Sequence, residues 1–166
     1  MPFNKVTILV GPACVGKSTY LLDKAYDYVV SSDKIVNDVC NEKEISYSDF
    51  FNLNFHHTIR KYQRKLFMQS INDSKHYRNI AWDLTKKNRQ QAMSHYPKAE
   101  FKALNFSFNK YEQQIINLNN KRNSKGLKVV PEKVLKQMFK SYEPVNFAEG
   151  FAEIININFF MSKVAA

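Results

Sequence analysis

Short apolar segments alternate with amphipathic segments along most of the chain, a pattern typical of an α/β fold. The apolar segments predict strands over 6–10, 28–31, 78–83, 100–106 and 151–158. Helices are predicted over 18–25, 34–40, 47–73 and 86–95, from 109 onward, and over 132–142. Parallel strands need crossover connections, which helices supply, so the pattern predicts a three-layer fold with a mostly parallel sheet of about five strands. We expect the 166 residues to form one domain.

The first predicted strand leads directly into a glycine-rich loop. Residues 11–18 read Gly-Pro-Ala-Cys-Val-Gly-Lys-Ser, which matches the phosphate-binding pattern G-x4-G-K-[ST]. Between a strand and a helix, such a loop cradles polyphosphate with its backbone amides. Lys17 is then expected at the β- and γ-phosphates of ATP, and the Ser18 hydroxyl at Mg²⁺. The predicted nucleotide contacts are Gly11, Pro12, Ala13, Cys14, Val15, Gly16, Lys17, Ser18 and Thr19. The alternative is a turn that matches the motif by chance.

Asp33 follows the second predicted strand. The carboxyl ends of parallel strands meet at one sheet edge, which is also the edge of the glycine-rich loop. A carboxylate at this edge could act as a general base that takes the proton of an acceptor hydroxyl during phosphoryl transfer. Asp33 could instead simply cap the following helix, since aspartate is a favoured N-cap residue. The two roles are compatible, and the sequence leaves both open.

Asp83 ends the third predicted strand and is expected at the same edge. An acid beyond a buried strand is the arrangement of a Walker-B-like aspartate, near the metal or the acceptor. Helix capping is again the alternative.

Residues 47–73 carry apolar side chains at helical spacing, which predicts one long amphipathic helix. Its basic residues fall largely on the other faces and are Arg60, Lys61, Arg64 and Lys65. This basic surface is either solvated or in contact with nucleic acid.

The stretch 117–128 is polar and basic, which predicts a mobile loop between two helices. It is either a solvated turn or a lid, over about 119–130, whose cations close over the transferring phosphates and exclude water.

The charge balance favours an anionic partner in addition to the nucleotide, because 25 Lys and Arg against 15 Asp and Glu give a formal charge of +10. A solvated surface explains the same charge. Cys14 and Cys40 lack the spacing of a disulfide framework or zinc site, which indicates a reducing compartment such as the cytoplasm. No run of 18 apolar residues predicts a membrane span.

The chain resembles the kinase domain of the bacteriophage-type polynucleotide 5′-kinase/3′-phosphatase and its P-loop kinase relatives. The resemblance covers nearly the whole chain and rests on GPACVGKST, SSD, WDLT with Arg89 downstream, KRNSKGLKVVPEKVLKQMFKSYE and EGFAEI. It implies that ATP and Mg²⁺ are the cofactors and that the γ-phosphate passes to the 5′-hydroxyl end of DNA or RNA. For a phage-encoded protein, the compartment would be the host cytoplasm.

The resemblance also implies residue roles. Lys17 and Ser18 would contact the ATP phosphates and the metal, Asp33 would be the general base, and Arg122 would belong to the lid. The implied acceptor-binding residues are Asp33, Lys34, Asp83, Thr85 and Arg89.

The chain departs from the family pattern at two arginine positions. Val36 stands where the family has an arginine three residues beyond the base, so Lys34 would have to substitute. The second lid arginine is missing, which leaves Lys125 for that role.

We therefore expect a polynucleotide 5′-hydroxyl kinase, and two alternatives remain. One is a kinase of a small metabolite or nucleoside on the same fold, with a closed acceptor pocket. The other is a non-catalytic protein that uses ATP only to order its lid and presents the basic helix to a partner.

Overall fold

A computed structural model describes residues 3–84, 89–124 and 129–158. The strands are β1 Lys5–Val10, β2 Tyr28–Ser31, β3 Asn79–Leu84, β4 Glu100–Ser107 and β5 Glu153–Asn158. The helices are α1 Lys17–Leu22, α2 Ser32–Lys43, α3 Tyr47–Asn52, α4 Thr58–Ser74, α5 Arg89–Ser94, α6 Glu112–Ser124 and α7 Glu132–Lys140, and a short 3₁₀ turn spans Phe147–Glu149. Among these helices, none is both long and apolar enough to cross a membrane.

The described strands form one parallel sheet in the order β2-β3-β1-β4-β5, which confirms the predicted α/β class. Strand β1 lies in the middle and pairs with β3 on one side and β4 on the other. The chain moves from β1 to β2 on one side of the sheet and later to β4 on the other. A topological switch point therefore lies at β1, and a ligand crevice is expected beyond its carboxyl end.

Two apolar clusters cover the two faces of the sheet. Along β1, Val6, Ile8 and Val10 belong to one cluster, whereas Leu9 belongs to the other. Ile8 and Leu9 are both fully buried. Burial on both faces explains why the central strands appear in the sequence as unbroken apolar runs.

A third apolar cluster holds α2, α3 and α4 together beside the sheet. Its buried members are Val36, Val39, Cys40 and Phe50. Val36, the position at which the family has an arginine, is therefore part of a packed core. The three helices form a wall next to the end of β2.

The single helix predicted over 47–73 is wrong, because the chain forms α3 and α4 with a break between them. Leu53 is extended, the side chain of Asn54 accepts the His56 amide at 2.7 Å, and His57 Nδ1 accepts the Ile59 amide at 3.2 Å. The helical spacing persists across the break because Phe51 and Ile59 pack into the same third cluster.

The loop predicted over 117–128 is also wrong for its first part, since α6 continues to Ser124. Asn119 is fully buried there: its Nδ2 donates to the Val130 carbonyl at 2.6 Å, and its Oδ1 accepts the Val130 amide at 2.9 Å. The Asn119 side chain thus satisfies both backbone hydrogen-bonding groups of Val130. The polar composition of the segment is the reason why the sequence does not predict this part of the helix. Residues 125–128 lie outside the described part. The other predicted elements agree with the structure to within a few residues.

Candidate active site

The glycine-rich loop follows β1 at the switch point. Gly11 has φ +154°, and a β-carbon there would lie 3.1 Å from both Phe106 Cβ and Val15 Cγ2. Gly16 has φ 97° and is the N-cap of α1. Close packing at the first glycine and left-handed backbone at the second explain why the motif has glycine at both positions.

Lys17, the first residue of α1, points into the loop. It is only 5% exposed, its Nζ donates to the Pro12 carbonyl at 2.9 Å and to the Gly11 carbonyl, and it lies 3.7 Å from Asp83 Oδ1. Burial lowers the pKa of Lys17, although the carboxylates of Asp83 and Asp33 act in the opposite direction. The ammonium is therefore held among loop carbonyls and a carboxylate.

Asp33 lies in the first turn of α2, but it is not the helix cap. Ser31 is the N-cap, and its hydroxyl accepts the Lys34 amide at 3.2 Å. The Asp33 carboxylate instead accepts a hydrogen bond of 2.6 Å from the Tyr47 hydroxyl of α3. The capping interpretation of Asp33 is therefore wrong.

The sheet register places Asp83 at the edge where Asp33 and the loop meet. In β3, Asp83 is opposite Leu9 of β1 on one side and Ser31 of β2 on the other. Its side chain is buried and faces Lys17. Two carboxylates and one ammonium therefore converge beyond the carboxyl ends of three neighbouring strands.

A cavity of about 170 Å³ joins the loop to the wall formed by α2, α3 and α4. On the loop side it is lined by Ala13, Cys14, Gly16, Lys17, Ser18 and Thr19. On the helical side it is lined by Ser32, Asp33, Val36, Tyr47, Phe50, Phe51, Arg60 and Gln63. Asp83, Arg122 of α6, and Val134 and Met138 of α7 complete it. The cavity therefore extends from the glycine-rich loop to the helical wall.

The profile of the protein family described as AAA domain matches residues 6–145, from β1 to the segment beyond α7. The chain belongs to the AAA domain family. Among solved structures, a gluconokinase from Sinorhizobium meliloti 1021 superposes with a TM-score of 0.51 at 15% identity, over 96% of this chain and 85% of that one. This likeness shows that the family member has a P-loop kinase fold.

Two further solved kinases are similar to a lower degree. They are a sugar kinase from Janibacter sp. HTCC2649 (TM-score 0.49, 13% identity, 99% and 92% of the two chains) and shikimate kinase from Aquifex aeolicus vf5 (0.37, 18%, 82% and 95%). No curated protein sequence matches the chain. The family match and the likeness to the gluconokinase confirm the P-loop kinase fold that the resemblance implied, and its polynucleotide part stays a prediction.

In this AAA domain protein, the cavity brings together most of the predicted site. The predicted residues that line it are Ala13, Cys14, Gly16, Lys17, Ser18, Thr19, Asp33, Asp83 and Arg122. Gly11, Pro12 and Val15 are buried. The exposed side chain of Lys34 pairs with Asp38 at 2.8 Å. Thr85 and Lys125 lie outside the described residues.

Arg89 is placed elsewhere, in a buried contact with the segment that leads to β5. Its Nε donates to Glu149 Oε1 at 2.7 Å, and its two terminal nitrogens donate to the carbonyls of Glu143 and Pro144 at 3.1 and 3.2 Å. Burial opposes ionisation of Glu149, but the hydrogen bonds from Arg89 and from the Asn146 amide, together with the charge of Arg89, outweigh it and lower the pKa of that carboxyl. Arg89 does not line the cavity, and its acceptor role stays a prediction.

Sequence reasoning missed four polar residues of the cavity wall: Ser32, Tyr47, Arg60 and Gln63. Nothing in the sequence marks Tyr47, because its partner is 14 positions away on another helix. Arg60 and Gln63 are three residues apart on α4, a spacing that puts two side chains on one helix face. A glutamine next to the apolar positions of this helix was the signal that could have identified this face.

The cavity also contains oxygen ligands of the kind that Mg²⁺ prefers, the Ser18 hydroxyl and the Asp83 carboxylate. Within the described ranges, no cluster of three His, Cys, Asp or Glu side chains could hold a metal by itself. This donor set fits Mg²⁺ held by one or two protein groups together with substrate phosphates.

Proposed function

We propose that the protein is an ATP-dependent phosphotransferase that moves the γ-phosphoryl group of ATP to a hydroxyl group. The observation that carries the proposal is the shared cavity, in which Lys17 and Ser18 of the loop face the carboxylates of Asp33 and Asp83. A phosphate-binding loop supplies the donor site, and the adjoining carboxylate supplies a base for the acceptor.

In the proposed reaction, Asp33 takes the proton of the acceptor hydroxyl as that oxygen attacks the γ-phosphorus. The bond from the γ-phosphorus to the β,γ-bridging oxygen breaks, and ADP leaves with the electron pair. Lys17 and Arg122 neutralise the charge on the transferring group. Ser18 and Asp83 would hold Mg²⁺, which would supply further neutralisation of phosphate charge. Transfer then depends chiefly on positioning and electrostatics.

The acceptor that this geometry supports best is a small hydroxyl compound. The helices α2, α3 and α4 bound the acceptor side of the cavity. Apolar side chains such as Val36 and Phe50 form one part of that wall, while Ser32 and Gln63 add hydrogen-bonding groups. A pocket bounded by helices and lined by apolar side chains with a few polar groups suits a small metabolite better than a polymer.

The 5′-hydroxyl end of DNA or RNA is a second candidate acceptor, favoured by one exposed feature near the start of α4. The ring of Phe55 is 60% exposed, and the Arg64 guanidinium lies over it, 3.9 Å from the centroid. Aromatic and basic side chains together are the usual platform for single-stranded nucleic acid, and the formal charge of +10 supports the same partner. This candidate predicts that acceptor binding weakens with salt, by a slope of about −0.7 per neutralised phosphate.

The test is incubation with γ-labelled ATP and Mg²⁺ against D-gluconate, shikimate, nucleosides, and a 5′-hydroxyl oligonucleotide as DNA and as RNA. Lys17→Ala should remove transfer together with ATP binding. Asp33→Asn should reduce turnover by about 10²- to 10⁴-fold and leave ATP affinity intact. Asp38→Asn, on the exposed side of α2, is the matched control and should keep full activity.

The outcomes separate the candidates. Label on a small acceptor that is lost in Asp33→Asn supports the proposal, and label on the oligonucleotide alone favours the second candidate. ATP binding without transfer to any of these acceptors contradicts the proposal and favours a protein that only binds the nucleotide.

A further inference from the structure

Three basic side chains of the described residues line the cavity, and they come from different parts of the fold. Lys17 belongs to the loop and Arg122 to the end of α6, so both are assigned to the phosphates of the donor. Arg60 comes from α4, on the wall opposite the loop. Arg60 therefore lies on the acceptor side, where its charge is not needed for the donor phosphates. Its position in the cavity wall indicates a different role.

Arg60 is partly buried, and its guanidinium contacts Phe50, a neutral residue. Its Cζ lies 4.9 Å from the centroid of the Phe50 ring, and its Nη1 makes a long contact of 3.5 Å with the Phe50 carbonyl. No carboxylate of residues 3–84, 89–124 or 129–158 forms an ion pair with it. Burial, and next the charge of Arg64, lower the pKa of Arg60. An arginine nevertheless keeps its charge.

A partly buried guanidinium in contact with a neutral residue is suited to bind an anion. Its planar fork binds carboxylate or phosphate through two parallel hydrogen bonds, which are stronger where water is partly excluded. Gln63, one turn along α4, has its Nε2 3.5 Å from the Ser32 hydroxyl, next to Asp33 in the chain. A row of polar groups therefore leads along the wall from the proposed base to Arg60.

We propose that Arg60 binds the anionic group of the acceptor, and that the acceptors are hydroxyl compounds carrying a carboxylate or a phosphate. This proposal rests on the proposed function, because it assigns the second substrate of the same cavity. The acceptor lies with its hydroxyl at Asp33 and its anion at Arg60, and Gln63 and Ser32 contact the part between. Arg60 thereby selects the substrate and positions it.

The kinetic test uses acceptor pairs that differ in charge: D-gluconate against D-glucitol, and adenosine 3′-phosphate against adenosine. The first pair tests a carboxylate and the second a phosphate. We expect Arg60→Met to reduce kcat/KM for the anionic member by about 10- to 100-fold, chiefly through KM, and to leave the neutral member unchanged. Arg60→Lys should recover part of the loss, since lysine supplies the charge without the fork.

Arg78→Met is the matched control, because it removes the same charge from an exposed position just before β3, at the opposite end of the strands from the cavity. It should keep wild-type discrimination between charged and neutral acceptors. Undiminished discrimination in Arg60→Met, or an equal loss in Arg78→Met, overturns the proposal.

A binding measurement separates this proposal from the proposed function. With the loop occupied by Mg²⁺ and a non-hydrolysable ATP analogue, the Arg60 Nε–Hε signal is assigned by its loss in Arg60→Met and followed by NMR. D-gluconate, adenosine 3′-phosphate and inorganic sulfate are then titrated. A saturable shift of this signal supports anion binding even if no acceptor is phosphorylated, in which case only the proposed function fails. No shift with any of the three overturns the Arg60 assignment even where transfer occurs.

Discussion

The hydroxyl of Tyr47 donates a hydrogen bond of 2.6 Å to Oδ1 of Asp33, which joins α3 to the proposed base on α2. The Tyr47 ring is fixed in turn against Phe51, with centroids 4.9 Å apart. Burial, followed by the charge of Asp33, raises the pKa of Tyr47, so its hydroxyl stays protonated and remains a donor at neutral pH. The Tyr47 hydroxyl therefore fixes the orientation of the Asp33 carboxylate, and it keeps its own proton in the proposed reaction.

We expect Tyr47→Phe to reduce kcat by about 10- to 100-fold, the effect of losing one hydrogen bond to a charged group. ATP affinity should not change, because Tyr47 lies outside the glycine-rich loop, and the retained ring preserves the packing. Steady-state kinetics and nucleotide binding measure both. Tyr62→Phe is the control, since that hydroxyl also donates to a carboxylate, Glu42, at 3.1 Å but away from the cavity. Wild-type kcat in Tyr47→Phe would show that Asp33 needs no such support.

The same tyrosine predicts how stability changes in alkali. Its folded-state pKa lies above the ordinary value of 10.0, so above that pH the unfolded chain releases a proton that the folded protein keeps. The stability from this group is complete below pH 10 and is lost as the pH rises further. Wild type should lose at most about 1.4 kcal/mol per pH unit more than Tyr47→Phe above pH 10. Urea unfolding of both proteins at pH 8, 10 and 11 gives this difference, and parallel curves would contradict it.

The buried pair of Arg89 and Glu149 should matter for stability and not for substrate. Arg89→Met leaves a carboxylate and two carbonyls without their donor, which should lower the free energy of unfolding by about 3–5 kcal/mol. The double variant with Glu149→Gln should recover part of this loss, because the unpaired charge is gone. Chemical denaturation tests both. Lys34→Met breaks an exposed pair instead, worth at most about 1 kcal/mol.

Kinetics of Arg89→Met decide the role that the family resemblance implied. We expect an unchanged acceptor KM, since Arg89 does not line the cavity. A rise of about tenfold or more in acceptor KM, at constant ATP affinity, would restore Arg89 to the acceptor site.

Gly11→Ala should remove ATP binding as well as stability. The new β-carbon would lie 3.1 Å from Phe106 Cβ and 3.3 Å from its carbonyl oxygen, and φ +154° disfavours any side chain. We expect a loss of about 1–3 kcal/mol together with a displaced loop. Gly150→Ala is the control, because φ +106° is also strained, but its β-carbon would meet only the flexible end of Met93. Calorimetric ATP titration of both variants should show weaker binding in Gly11→Ala alone, and equal affinities would argue against a rigid loop.

The elements that sequence alone predicts are those with local causes. The β1 strand and the loop after it depend on a run of apolar residues and on two glycines with special backbone geometry, and both are visible in neighbouring letters. The carboxyl-edge positions of Asp33 and Asp83 follow from one further rule, that parallel strands end on the same side. The sequence by itself therefore determined the α/β class, the phosphate loop and the edge at which the acids lie.

Only the tertiary structure decided what these acids and cations contact. Ser31 rather than Asp33 caps α2, and Tyr47 reaches Asp33 across a helix boundary. Arg60 lines the cavity, whereas Lys61 and Lys65 on the same helix are exposed. Arg89 matches the motif pattern as a site residue, yet its partner Glu149 is 60 positions away. Each of these contacts depends on how separately formed helices pack against one another. Local propensity and periodicity determine the elements, whereas the shape of the packed core selects which side chains line the cavity and which pair beneath the surface.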